Sequence, residues 1–153
     1  MSYRIRTAVP TDETRIRELF LEELRTIYQT QDVKGYEEGH LDKFWTGSED
    51  RIYVAEDDDV IAFLSVEVHY EPVTYLYLDD FSVTAACRNR GIGSALIRIA
   101  EAYAGEKAAS AVLLHVEKTN ESAMRLYEKL QYAVFRDDGH RLLLKKDMAD
   151  EKR

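Results

Sequence analysis

The chain has 153 residues, 45% of them hydrophobic, enough for one domain spanning 1–153 around a real core. A net charge of −8 argues against general binding to nucleic acid or to an anionic membrane, both of which call for a basic surface. The single cysteine, Cys87, excludes an internal disulfide framework. With no N-terminal segment resembling a signal peptide and no apolar run of bilayer length, the expected location is cytoplasmic.

Tyr3 to Ala8 alternates as a short first strand. Pro10, Thr11, Asp12 and Glu13 make a helix start, and Ile16, Leu19, Phe20, Leu24 and Ile27 line one face of the helix that follows. Tyr36 to Trp45 reads as a weaker second helix with Leu41, Phe44 and Trp45 as its apolar stripe, although Gly39 weakens it. From Arg51 the period becomes two. Ile52 to Ala55 and Ile61 to His69 form a hairpin around Asp57, Asp58 and Asp59. Glu71 and Pro72 end it, and a third strand runs from about Thr74 to Thr84. The three strands imply an antiparallel meander.

A polar loop, Ala85 to Arg90, then leads into Gly91, Ile92, Gly93 and Ser94, which open a helix. Ile92, Leu96, Ile99, Ala100 and Tyr103 give that helix an apolar face. Ala111 to Val116 is a buried strand, parallel to the one before because a whole helix separates them. Thr119 or Asn120 caps a further amphipathic helix to about Leu130. Tyr132 to Arg136 and Arg141 to Lys145 close the chain as a hairpin around Asp137, Asp138 and Gly139. The order is β-α-α-β-β-β-α-β-α-β-β: a mixed α/β (α+β) fold with a mostly antiparallel sheet of about seven strands and about four helices.

The strand, glycine loop and helix start have a physical use. The first N–H groups of a helix lack partners within it, and the helix dipole makes that end partly positive. Glycines let an anion approach the backbone, so Arg88-x-x-Gly91-x-Gly93 suits a phosphate. Arg88, Arg90 and Arg98 add positive charge. No Lys-Ser or Lys-Thr follows the second glycine, so this is not a P-loop, and Leu96 stands where a dinucleotide fingerprint needs a small residue. Taken alone, Asn120 is a helix cap, and Tyr127 is one of ten tyrosines and a core aromatic. His40, His69, His115 and His140 are scattered without metal-ligand spacing, so no metal is expected.

Arg88-x-x-Gly91-x-Gly93 resembles the pyrophosphate loop of the GNAT superfamily of N-acetyltransferases, and Asn120 followed seven residues later by Tyr127 resembles that family's second motif. The element order agrees over nearly the whole chain. The resemblance implies a GNAT fold, acetyl-CoA as co-substrate and an acyltransferase that acylates an amine by direct attack. It implies coenzyme contacts from the backbone of Phe81, Ser82 and Val83, from Arg88, Asn89, Arg90, Gly91, Ile92, Gly93 and Ser94, and from Asn120, Ala123 and Tyr127, with Tyr127 also the acid that protonates the leaving thiolate. Where the family continues with Gly-Phe after the helix, this chain has Gln131-Tyr132.

Leu78-Asp79-Asp80-Phe81 resembles the Leu-Glu-Asp-Phe run of the diamine (spermidine/spermine-type) acetyltransferases. It implies Asp79 as the amine-facing acid, directly or through water, with Asp80 as its structural partner, the two being the candidate substrate-binding residues. Neighbouring strand side chains point to opposite faces, so only one of them can enter the cleft unless a bulge intervenes. The expected acceptor is a small cationic amine. The alternatives are a protein N-terminus or lysine, and a non-catalytic acyl-CoA-binding module. Because many relatives pair, a homodimer is one option.

Overall fold

The computed structural model describes residues 2–148. Seven strands form one sheet of order β1-β2-β3-β4-β5-β7-β6. In chain order the elements are β1 (Arg4–Thr7), α1 (Glu13–Tyr28), β2 (Arg51–Asp57), β3 (Asp59–His69), β4 (Tyr75–Val83), α2 (Ile92–Glu106), β5 (Ala111–Glu117), α3 (Glu121–Lys129), β6 (Ala133–Asp137) and β7 (Arg141–Asp147). β1 and β2, β2 and β3, β5 and β7, and β6 and β7 pair antiparallel, whereas β4 and β5 are parallel, as the intervening helix demands.

Two compact units divide the chain, one of Met1–Val66 with Asp80–Ile97, the other of Glu67–Asp79 with Arg98–Arg153. In the first, Ile16 and Leu19 of α1 are fully buried in a cluster with Leu41, Ile52, Val54, Val60 and Phe63. Phe20, Tyr36, Phe44 and Trp45 pack around its margin. The link from β1 to α1 is fastened by charge. Arg6 donates through Nη1 and Nη2 to both oxygens of Asp12, at 2.8 and 3.0 Å, and the Val9 N–H donates to Asp12 at 2.8 Å. Arg6 also bonds Glu56 on β2. In the second unit Leu76, Val112, Leu114 and Leu144 form the buried side of the strands. Glu101 on α2 accepts hydrogen bonds from Tyr132 Oη at 2.8 Å and Lys146 at 3.1 Å. Burial and the neighbouring Glu101 push the Tyr132 hydroxyl well above the ordinary phenol range.

Two expectations are corrected. No α-helix forms over residues 36–45, so the described residues hold three α-helices rather than about four; that stretch contributes one 3-10 turn, Asp42–Phe44. Gly39 sits in the left-handed region at φ 81°, which interrupts a helical run too short to recover. Its apolar residues still pack: Leu41 is buried, and Trp45 Nε1 donates to Glu13 at 2.9 Å. On α2, Ile92, Leu96, Ala100 and Tyr103 are buried as expected, but Ile99 lies 39% exposed while Ile97 and Ala104 are buried in its place. The buried arc is thus turned toward the side carrying Ile97 and Ala104, and Ile99 falls at its edge.

The Asp12 clamp has a pH signature. Arg6 is the chief cause holding this carboxyl below the usual carboxylate range; burial opposes it and the Val9 N–H assists. A carboxyl depressed in the folded state contributes stability above its unfolded value, and that stability is lost as pH falls through the folded value. Denaturant titrations below about pH 4 should therefore show falling stability in the natural protein and a shallower fall in Asp12→Asn. At neutral pH that substitution should cost about 1–3 kcal/mol, the pair being partly exposed on the Arg6 side. Equal acid slopes in the two proteins would show that Asp12 is not the group responsible.

Candidate active site

β4 leaves the sheet through a 3-10 turn, Ala85–Cys87, and the chain then reaches α2 by a tight route. Asn89 and Gly91 both take left-handed conformations, at φ 65° and 78°. Ala95 N–H donates to Gly91 O at 3.0 Å, closing the first turn of α2 on Gly91. A Cβ built on Gly91 would meet nothing within 4 Å, so the space beside that backbone is open. The result is a helix N-terminus presented beside an open backbone segment, and the N–H groups of a first helical turn have no partners within the helix.

Acids of α1 hold the loop. Glu22 accepts from Thr84 Oγ1 at 2.9 Å and from the Ala85 N–H at 2.8 Å. Arg88 Nε donates to Val83 O at 3.0 Å, and its Nη2 lies 3.6 Å from Glu23. Burial pushes the Glu23 carboxyl upward, against the pull of Arg88. Arg90 lies 3.5 Å from Asp57 and its guanidinium stands over the Tyr3 ring. The arginines expected at a phosphate are thus within reach of carboxylates, and Arg98 lies exposed on α2.

The remaining expected residues are distributed as follows. Phe81 and Val83 are half-buried, and Ser82 is buried with its Oγ donating to Leu19 O at 2.9 Å. Asp80 accepts from Tyr36 Oη at 2.6 Å, and its N–H donates to Ser65 Oγ at 2.8 Å. Tyr36 itself is stacked on Phe20 and His40, so Asp80 anchors the segment that replaces the expected second helix. Asp79 is exposed, on the opposite face of β4 from Asp80. Asn120 caps α3, its Oδ1 accepting from Ala123 N–H at 3.3 Å. Tyr127, seven residues on, is buried and makes a T-shaped contact with Tyr132, the ring centroids 6.2 Å apart.

One constellation escaped the sequence reading. Tyr77 Oη lies 2.6 Å from His115 Nδ1, and His115 Nε2 lies 2.8 Å from Asp138 Oδ2. Arg136 holds the other oxygen of Asp138 at 2.6 Å. Tyr77 and Asp79 alternate on β4 and so share a face. The signal available was register: β4 and β5 run parallel with Tyr77 opposite Leu113, which puts His115 two residues on, on Tyr77's side.

The family model for the acetyltransferase (GNAT) family matches residues 15–132. The chain belongs to this family. It is 30% identical over 132 residues to the uncharacterized N-acetyltransferase YhfO of Bacillus subtilis, covering 84% of this chain and 88% of that protein. It is 29% identical over 90 residues to the mycothiol acetyltransferase of Corynebacterium efficiens; the match takes in 59% of this chain but spans only 30% of that relative's length. Its fold is similar to that of the PaiA N-acetyltransferase of Thermoplasma acidophilum in complex with coenzyme A, with TM-score 0.79 at 18% identity over 97% of this chain and 100% of that one. The GNAT family and the GNAT fold expected from the sequence both stand.

Glu22 gives the loop a direct test. Charge-assisted hydrogen bonds of this kind are each worth roughly 1.5–3 kcal/mol. Glu22→Ala should lower unfolding stability by about 2–3 kcal/mol and raise proteolytic cleavage near residue 85. Unchanged stability would mean that the loop holds its shape without this carboxylate.

Proposed function

We propose that this GNAT chain is a single-domain N-acetyltransferase that takes acetyl-CoA as donor and a small cationic amine as acceptor, of the diamine class that Leu78-Asp79-Asp80-Phe81 resembles. The observation that carries the reading is the exit from β4. Left-handed Asn89 and Gly91 deliver an open helix N-terminus at Ile92, built for the diphosphate of a coenzyme. Acetyl-CoA supplies an activated thioester, whose acyl carbon bonds to the amine nitrogen as its carbon–sulfur bond breaks.

The chain's own groups then manage protons and charge. An alkyl amine is mostly protonated at neutral pH and must lose a proton before it attacks. Asp79, exposed on β4, holds the ammonium, and the net charge of −8 favours a cationic acceptor. A carboxylate is a weak base for an ammonium. An imidazole nitrogen is a stronger base than a carboxylate and is better matched to the task. The proton therefore passes to Tyr77 oxygen as Tyr77 gives its own to His115 Nδ1, across the 2.6 Å bond between them. Tyr127 gives a proton to the departing thiolate, a transfer between groups of similar affinity. In this reading the backbone from Phe81 to Val83 meets the pantetheine arm, Arg88 to Ser94 the diphosphate, and Asn120 and Ala123 the coenzyme beside α3. No helix among the described residues is long and apolar enough to cross a membrane, and we place the enzyme in the cytoplasm, with pairing of two copies carried over from the family resemblance.

Release of coenzyme thiol, followed over a panel of diamines, polyamines, aminoglycosides and N-terminal peptides, tests the proposal. A diamine or polyamine should give the highest kcat/KM. Asp79→Asn should raise KM for the amine about tenfold, and His115→Gln and Tyr127→Phe should each lower kcat about 10²-fold or more. Turnover of peptides alone would replace the small-amine reading with a protein acetyltransferase, and binding of acetyl-CoA without turnover would leave a sensor module.

A further inference from the structure

We infer that Asp138, at the β6–β7 turn, is a positioning residue that fixes the tautomer of His115 and so aims its free lone pair at Tyr77. The inference rests on the proposed role of His115 as proton acceptor, but it concerns a residue outside both family motifs. Sequence reading gave Asp138 only a place in a turn.

An ionised carboxylate can only accept. Asp138 stays ionised across the working pH range, because Arg136 chiefly, and His115 next, hold its carboxyl down to about 2. His115 Nε2, 2.8 Å from that carboxylate, must then carry a hydrogen. A neutral imidazole has only one N–H, so Nδ1 is left with a lone pair, and Tyr77 Oη, 2.6 Å away, must be the donor to it. The direction of every hydrogen in the chain Asp138–His115–Tyr77 follows from the charge at its far end. When a proton arrives at Nδ1, the imidazolium forms already paired with Asp138.

The carboxylate is held for this task. Arg136 Nε and Nη2 bond its two oxygens at 2.6 and 3.1 Å. The turn is closed by Asp138 N–H donating to Arg141 O at 2.9 Å, with Gly139 in the left-handed region at φ 94°. Its neighbour Asp137 accepts from Lys118 Nζ at 2.9 Å, and Lys118 N–H donates to His140 O, so the hairpin is tied to the end of the strand that carries His115. His115 and Asp138 side chains are 14% and 23% exposed, so the pair is partly shielded from solvent.

Nitrogen-15 NMR of the full chain labelled at histidine, followed to the alkaline limit of its chemical shifts, reports the tautomer of the neutral ring without relying on turnover. His115 should carry its hydrogen on Nε2 in the natural protein. Asp138→Ala should replace that single tautomer by a mixture, with kcat down by about tenfold to a hundredfold and KM for acetyl-CoA within about twofold. Tyr77→Phe should leave the tautomer as it was, because Asp138 sets it. A hydrogen on Nδ1 in the natural protein overturns the inference, as does an unchanged tautomer in Asp138→Ala or a switched one in Tyr77→Phe. If the natural protein acetylates no amine, the proposed function falls, and the tautomer measurements still decide what Asp138 does.

Discussion

The bond from Glu22 to the segment leaving β4 is the constraint on which the site depends. The chain leaving β4 closes one 3-10 turn, with Cys87 N–H donating to Thr84 O at 2.9 Å, and then turns through two left-handed residues before α2 begins. Without an external anchor, the Thr84–Gly91 segment would sample many conformations, and a diphosphate would have to order it at entropic cost. Glu22 removes that freedom in advance by accepting from both Thr84 and Ala85. The acids of α1 are thus part of what holds the proposed diphosphate loop, although carboxylates there look at first like a poor choice beside an anion. Their hydrogen bonds go to the loop's backbone and hydroxyl, and Arg88 lies close to Glu23.

β4 carries two different tasks on its two faces. Asp80 and Ser82 look toward α1 and the irregular segment after it, bonding Tyr36 and Leu19. Tyr77 and Asp79 look the other way, and Tyr77 meets His115. The alternation of a pleated strand makes this division unavoidable for adjacent carboxylates. It explains how the run Asp79-Asp80 can send one carboxylate to Tyr36 and the other to the opposite face of the strand.

Much of this was legible in the sequence, for identifiable reasons. The strands from Arg51 onward declare themselves by alternation, and the parallel return of β5 follows from having a helix before it. The glycine loop was legible because its backbone turns through left-handed conformations at Asn89 and Gly91, which only a few residue types tolerate. What the sequence hid is tertiary. Tyr36 to Trp45 has a helical stripe, yet its aromatics are used as plugs against α1, and Gly39 breaks the run. Glu22 looks like any acid on a solvated helix face until the loop is folded against it. His115 looks isolated because its two partners, Tyr77 and Asp138, lie 38 and 23 residues away in the chain. Only the strand register and the closing hairpin bring them together.

The central claim is that the opening of α2 grips a coenzyme diphosphate, and ligand-linked unfolding tests it most directly. Acetyl-CoA at about one hundred times its dissociation constant should stabilise the folded chain by about 2.7 kcal/mol, seen as a raised midpoint in thermal or denaturant unfolding. NAD and ATP at the same concentration should raise it far less, and Gly91→Asp, which sets a carboxylate beside the proposed diphosphate, should abolish the acetyl-CoA effect. An unchanged midpoint with acetyl-CoA, or an equal rise in the Gly91→Asp protein, would contradict the account.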